Sequence, residues 1–409
     1  MSTEALRRPV VTGMGVVSPI GDDPDALWAS LLGGRSGVGP VRSFDTSAFP
    51  THIGCEARDA PLLSPDGMEP PPGRATLLAA TAGGQALEEA GLDERDLEDT
   101  GLCVGTTMGE ACWLEAWSPE DVAAGPAAVP AEELLRSGPD RVGMDVARLL
   151  GLRGPVSVLG AACAAGNYAI ARAADLVRAG RVERVLAGGT DGFSRVAFVG
   201  FSRLGALAAE ACRPFSAGRD GIVLAEGAGM VLVESLSSAR ARGAAPLAEV
   251  AGTGLSCDAH HIVSPHPEGA GAVRAMEAAL TDARLEPGDV DYVCAHGTGT
   301  PANDRAEVAA ARALFGQRSV PMSSIKALTG HAMGGASAIE AVACLLALRH
   351  QIVPPTWNLL TLDPDCEWDV VADGPRPASL GVVMNNAYAF GGNNASVLFR
   401  HPDLVGASG

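Results

Sequence analysis

Three reactive side chains stand out by their settings. Cys163 lies in Gly160-Ala161-Ala162-Cys163-Ala164-Ala165-Gly166, where small neighbours leave the sulfur uncrowded and let other backbone approach closely. A short run, Val156-Ser157-Val158, precedes it, and a helix over 167–179 follows, closed by Gly180 in the left-handed position that commonly ends a helix. A thiol at the first turn of a buried helix sits among unsatisfied N–H groups, a field that favours thiolate, the nucleophilic form. The same features describe a small buried hydrophobe, so this stretch alone leaves both readings open. His296 ends the strand 292–295 and opens His296-Gly-Thr-Gly-Thr300, and His331 ends Ser323-Ser-Ile-Lys-Ala-Leu-Thr-Gly-His331. A histidine held on a tight glycine turn either faces a cavity as a hydrogen-bond donor or is satisfied structurally.

An internal repeat brings these distant groups together. The strand 9–15 runs into a glycine turn, and its Thr12-Gly-Met-Gly15 returns as Ala251-Gly-Thr-Gly254. Helix 75–90, ended by Gly91, and strand 101–105 return as Ala279-Leu280 followed by Val293-Cys294-Ala295-His296. The cysteine's strand, turn and helix return over 320–350, which makes the His331 turn the positional counterpart of the Cys163 turn. Glu226-Gly-Ala-Gly-Met-Val-Leu-Val233 returns as Phe390-Gly-Gly-Asn-Asn-Ala-Ser-Val397. Four matches in one order imply two βα halves, 1–249 and 250–409, related by a pseudo-twofold axis, each with a mixed sheet and with helices between them. Equivalent turns then meet near that axis, and Cys163, His296 and His331 share a site there. The helix after Cys163 is apolar except for one stripe, Arg172, Asp175 and Arg178, as a largely buried helix should be. Residues 117–136, acidic and rich in Ala and Pro, read as a surface insertion.

Composition removes several classes. The 409-residue chain is 47% hydrophobic, ample for a large core. A net charge of −18 argues against nucleic acid or an anionic membrane as the main partner. It leaves room for an acidic protein docking on a local basic patch. Nine cysteines, an odd count without a Cys-x-x-Cys pair or a cluster with histidine, point to a reducing interior and to no metal site. Residues 1–8 are polar with no apolar segment behind them, and the apolar run 341–348 is too short to span a bilayer. The expectation is a soluble, cytoplasmic protein.

Ala162-Cys163-Ala164, His296-Gly-Thr-Gly-Thr300 with Asn303-Asp304, Lys326 through Gly330-His331, and Asn386 through Phe390-Gly-Gly resemble the motif set of elongating β-ketoacyl-acyl-carrier-protein synthases, members of the thiolase superfamily. Arg213-Pro-Phe-Ser-Ala-Gly-Arg-Asp220 and Ser264-Pro-His-Pro-Glu-Gly269 also resemble segments of that family, so the likeness covers nearly the whole chain. It implies an α/β thiolase-like fold in αβαβα layers and a decarboxylative Claisen condensation in fatty-acid or type II polyketide elongation. By the same resemblance Cys163 carries the acyl group, His296 and His331 donate to the malonyl enolate, and backbone N–H of Cys163 and Phe390 form the acyl oxyanion hole. Lys326 and Glu340 form a buried pair that keeps the histidines neutral, Asp304 and Glu307 are structural supports, and Thr298 and Thr300 bind the pantetheine arm. Met108, Phe198, Phe201 and Phe390 line the acyl pocket. No metal or organic cofactor is implied, since substrates ride on the phosphopantetheine of an acyl carrier protein. The family likeness also implies a dimer, with a copy of the chain or with a related chain-length subunit.

Magnitudes rank these parts. Lowering a thiol pKa from about 8.5 to about 7 raises the thiolate fraction roughly tenfold, about 1–2 kcal/mol. One well-aimed oxyanion donor is worth about 3–4 kcal/mol. The chain departs from the family at Ala389 and Asn393, which flank Phe390-Gly-Gly, and at Glu110, which replaces an expected small residue near the pocket. These departures suggest a specialised or unsaturated acyl chain. Two other readings compete. A catalytically quiet chain-length partner usually lacks the cysteine kept here. A thiolase carries a second cysteine in a Cys-x-Gly motif, where this chain has Phe390-Gly-Gly-Asn-Asn.

Overall fold

The computed structural model describes residues 6–64, 66–115, 123–125 and 136–404, so the insertion expected over 117–136 lies largely outside the described residues. The first half runs β1 (Pro9–Val17), α1 (Arg74–Ala90), β2 (Thr100–Gly105), β3 (Val156–Leu159), α2 (Ala165–Arg178), β4 (Arg184–Asp191) and β5 (Gly227–Ser235). The second runs β6 (Ala248–Cys257), α3 (Ala270–Ala283), β7 (Tyr292–Cys294), α4 (Pro301–Phe315), β8 (Met322–Ser323), α5 (Ala336–His350), β9 (Val382–Tyr388) and β10 (Asn393–Arg400). Strand order is β8-β7-β9-β10-β6-β1-β5-β4-β2-β3. Each strand of the second half thus occupies the place of the strand five before it. The directions match too: the first three strands of each half pair antiparallel, the outer pairings parallel. Two antiparallel pairs, Val10 with Glu249 and Val11 with Ala248, join the halves edge to edge, so the boundary expected after residue 249 falls instead just before Ala248, where β6 begins.

Glycine sets how closely helix and strand approach in both halves. A Cβ on Gly13 or Gly15 of β1 would lie 2.0 Å from a carbonyl oxygen of α1, at Ala86 or Ala82. On Gly252 or Gly254 of β6 it would lie 2.2 or 2.0 Å from the equivalent oxygens of α3, at Ala279 or Ala275. These glycines therefore sit inside strands, not in a turn after them. The expected glycine turn at 12–15 is corrected accordingly: contact with α1 demands the small residues, and β1 continues to Val17.

Helices α1 and α3 cover the outer faces, while α2 and α5 lie between the two sets of strands, giving αβαβα layers. Every residue of α5 from Ala336 to Leu348 is buried, and each large aliphatic side chain so removed from water contributes about 1.5–3 kcal/mol. On α2 the exposed positions include Arg172 and Asp175, the stripe its sequence marks. Gly180, at φ +62°, closes that helix by donating to the Val177 carbonyl, and Arg181 donates to that of Leu176. Among the described residues no helix is long and apolar enough to cross a membrane.

Adding one methyl group at Gly13 or at Gly252 should be equally harmful, because each overpacks the same strand–helix contact. Gly13→Ala and Gly252→Ala are each expected to lose about 1–3 kcal/mol, read as a lowered denaturation midpoint; a neutral effect at either would break the equivalence.

Candidate active site

Two turns at equivalent places carry the same distortion. Ala162, at φ +46°, opens a 3₁₀ turn, Ala162–Ala164, that feeds α2, and Met333, at φ +50°, opens Met333–Gly335, which feeds α5. A left-handed residue with a side chain costs of order 1–3 kcal/mol and persists only where its surroundings enforce it. Beyond the first of these turns Gly166 lets α2 approach α5 closely, since a Cβ there would lie 2.8 Å from Ala338 on α5. The position matching Cys163 is therefore Gly334, and His331 belongs to the segment leading into its turn. A third short turn, Phe390–Gly392, packs against the cysteine turn. Cys163 and Phe390 lie in the opening residues of their turns, where N–H groups have no partner within the helix.

Both histidines are clamped from the main chain. His331 donates its N–H to the Val223 carbonyl at 2.7 Å and accepts from Ala225 at 3.0 Å. Glu307 accepts from the N–H groups of His296 and Gly297, both at 2.8 Å. The two imidazoles lie 5.5 Å apart, nearly perpendicular. Lys326 is buried and touches Glu340, the His296 carbonyl at 2.8 Å and His296 Nδ1 at 3.4 Å. An ammonium only donates, so Nδ1 of His296 accepts and the ring proton sits on Nε2. Met333 N–H donates to Nδ1 of His331 at 3.1 Å, which fixes the same tautomer there. Each ring thus keeps one Nε2–H donor outside these bonds.

Electrostatics hold the rings neutral. Burial pushes the His296 imidazole well below its ordinary value, and Lys326 and His331 push it further; His331 is lowered by burial and by Lys326. Burial raises Glu340 to about 7 against the pull of Lys326, and raises Glu307 to about 8 against its two N–H bonds. The thiol departs from expectation. Burial pushes Cys163 up to about 12, with Lys326 opposing and Asp191 adding to the rise, so the field of the helix terminus does not by itself yield a thiolate in the closed site.

The remaining candidates fall around this centre. Thr298 and Thr300 bond each other through their hydroxyls at 2.9 Å, and Thr300 stands at the N-cap position of α4 without a side-chain bond to the helix. Asp304 accepts from Gly299 and Phe215 N–H groups and pairs with buried Arg219 at 3.1 Å, tying the Arg213–Arg219 loop to the histidine turn. Met108, Phe198, Phe201 and Phe390 share one apolar cluster with Met333, and Phe201 stacks on Phe390 at 5.3 Å. Glu110 is not part of that wall. Its carboxylate accepts from the N–H and hydroxyl of Thr76 and caps α1, whose N-cap residue, Gly73, has no side chain to do so. The specialised-chain expectation loses that support.

Sequence reasoning missed two buried polar devices. Asn167, Asn385 and Ser337 cross-link the heads of α2 and α5: Asn385 Nδ2 donates to Asn167 Oδ1 and to the Ser337 carbonyl, each at 2.9 Å. Asp191 accepts four hydrogen bonds at the end of β4. The available signal was a polar residue within, or ending, an otherwise apolar strand. Among the described residues no group of three His, Cys, Asp or Glu side chains is placed to hold a metal ion. A cavity of about 810 Å³ lies elsewhere, beside Arg178 near the end of α2, and none of the groups above lines it.

Family models for the β-ketoacyl synthase N-terminal and C-terminal domains match residues 7–239 and 247–360. The chain belongs to the β-ketoacyl synthase family. It is 40% identical to nodulation protein E of Rhizobium meliloti (strain 1021), over 96% of this chain and 99% of that protein. With 3-oxoacyl-[acyl-carrier-protein] synthase 2 of Staphylococcus aureus (strain COL) it shares 36% identity, over 96% and 98%. Among solved structures, the ishigamide ketosynthase/chain length factor superposes with a TM-score of 0.90 at 41% identity, over 97% of this chain and 99% of that one. A type II PKS ketosynthase, solved with its acyl-carrier protein and bound to a hexaketide, gives a TM-score of 0.89 at 30% identity, over 97% and 99%.

Because burial and Lys326 act in the same direction, imidazole titration followed by NMR should find both rings still neutral below the ordinary value of about 6.5. Removing the cation in Lys326→Ala should raise both imidazole pKa values. Rings that protonate near 6.5 in the unmodified protein would contradict the electrostatic picture.

Proposed function

We propose that the chain condenses an acyl thioester with a malonyl thioester by decarboxylative Claisen chemistry, through an acyl group held on Cys163. The observation that carries this reading is the pair of buried imidazoles, 5.5 Å apart, each bonded through Nδ1 so that its Nε2–H stays free, with the turn after His331 packed on the cysteine turn. In the first half-reaction the Cys163 sulfur attacks the thioester carbonyl, the bond to the pantetheine sulfur breaks, and the thiol proton leaves with pantetheine. N–H groups of Cys163 and Phe390 receive the oxyanion. In the second, the malonyl carboxylate leaves as CO₂ and its electron pair moves into the thioester carbonyl, whose oxygen accepts from His296 and His331. The enolate carbon then attacks the acyl carbonyl, the bond to Sγ breaks with the sulfur leaving as a thiolate that takes a proton from solvent to restore the thiol, and the β-ketoacyl thioester remains on its carrier.

Acyl groups arrive on the phosphopantetheine of an acyl carrier protein, a reading supported by the similar ketosynthase solved with its carrier. Thr298 and Thr300 lie beside the histidine turn, where hydroxyls suit the amide-bearing pantetheine arm. No resident metal or organic cofactor takes part. The chain pairs with a second ketosynthase-type subunit, its own copy or a chain-length factor, as in the similar ishigamide pair. All nine cysteines are free, in keeping with the cytoplasm. The product enters fatty-acid or type II polyketide elongation. A quiet partner subunit is disfavoured, because Cys163, His296, His331 and Lys326 are all present.

Cys163→Ala is expected to abolish acyl loading, seen as loss of the mass shift in intact mass spectrometry after incubation with acyl-carrier thioesters. His296→Ala and His331→Ala should still load acyl groups while malonyl decarboxylation falls roughly 10²–10³-fold, the worth of one oxyanion donor. Loading at another residue would overturn the assignment of the nucleophile.

A further inference from the structure

The chemistry assigned above makes no use of Asp191, a fully buried carboxylate. Asp191 ends β4, and its hydrogen bonds come from a hydroxyl and three main-chain N–H groups. Oδ1 accepts from Thr106 Oγ1 at 2.6 Å and Met108 N–H at 2.8 Å. Oδ2 accepts from Thr107 N–H at 2.9 Å and Gly334 N–H at 2.7 Å. Burial raises this carboxyl and the four donors lower it.

Gly334 is the key partner, because it stands in the second half where Cys163 stands in the first. In one turn the N–H is available to an acyl oxygen; in the other Asp191 occupies it. The turn also packs directly on the Thr106–Met108 segment, since a Cβ on Gly334 would lie 2.7 Å from Thr107 N. One residue earlier, Met333 donates the N–H that sets the tautomer of His331. Asp191 therefore ties together three things: the end of β4, the segment bearing Met108, and the turn that orients His331.

We propose that Asp191 is the positioning residue for His331, holding the Met333–Gly334 turn so that its N–H stays on Nδ1 of the imidazole. The inference rests on the reading of His331 as a donor to the malonyl thioester. Asparagine in its place offers an NH₂ group on one side; whichever way the amide turns, at least one main-chain N–H then faces a donor, so the clamp on the turn is weakened.

The test measures malonyl decarboxylation and acyl loading separately, on the full chain with carrier-bound substrates. Asp191→Asn is expected to lower kcat for decarboxylation roughly 10- to 100-fold, the scale of a misplaced catalytic group, with KM little changed and Cys163 still loaded. Combined with His331→Ala it should cause little further loss, because both changes remove one function. Thr106→Val, which deletes one bond to Asp191 without freeing Gly334, should decarboxylate close to the wild-type rate. If Asp191→Asn does not fold, Asp191→Glu decides: its longer arm keeps the acceptors but displaces Gly334, so decarboxylation must fall while loading holds. Loading and decarboxylation falling together, or losses that multiply with His331→Ala, would assign Asp191 a merely structural part. If His331→Ala decarboxylates normally, the role of His331 itself fails and the positioning role with it. With His331→Ala impaired and Asp191→Asn not, the positioning inference alone falls.

Discussion

The close crossing of α2 and α5 is the contact on which the site depends. Gly166, with no side chain of its own facing Ala338, allows the heads of two buried helices to approach closely. Both helices begin from a left-handed residue, and both heads are stitched by Asn167, Asn385 and Ser337. A wider crossing would separate the sulfur of one half from the histidines of the other. The strand–helix glycines serve the same end at longer range, because they fix how far each half's outer layer stands from its sheet.

Around that crossing the polar groups divide into those satisfied at rest and those left for substrate. Glu307, Asp304 and Asp191 each take main-chain N–H groups from a turn that bears or neighbours a reactive residue. A buried carboxylate used this way acts as a clamp: releasing it strands several donors at once, each costing about 1–3 kcal/mol. Lys326 is the inverse case, one buried cation whose three donors meet a carboxylate, a carbonyl and an imidazole. The histidine turns are thereby rigid before substrate arrives, which spares the reaction the reorganisation it would otherwise require.

Much of this was legible in the sequence, for reasons that are local. The twofold repeat showed itself because both halves need glycine at the same strand–helix contacts, and a missing side chain is visible in a single chain. The stripe on α2 and its closing Gly180 follow from periodicity and from the conformation only glycine adopts cheaply. The Asn167–Asn385 link and the Asp191 clamp were illegible because their partners lie 218 and 143 residues away. Glu110 misled for a related reason. Its position suggested a pocket wall, while its function, capping α1 in place of the bare Gly73, belongs to a helix that begins 36 residues earlier. The thiol was misjudged because a helix terminus can be read from sequence but the depth of burial cannot.

Neutral histidines suit the proposed chemistry better than charged ones would. Before decarboxylation the malonyl group carries its charge on the carboxylate; afterwards that charge sits on the thioester oxygen. A cation near both places would stabilise the starting state along with the product of the step, and so gain little rate. A neutral Nε2–H aimed at one oxygen strengthens only as charge arrives there. Burial and Lys326 together keep both rings in that form. The lysine's own charge is spent on Glu340, which limits its attraction for the malonyl carboxylate. Its position behind the His296 imidazole thus favours the state in which the charge has moved over the state in which it has not.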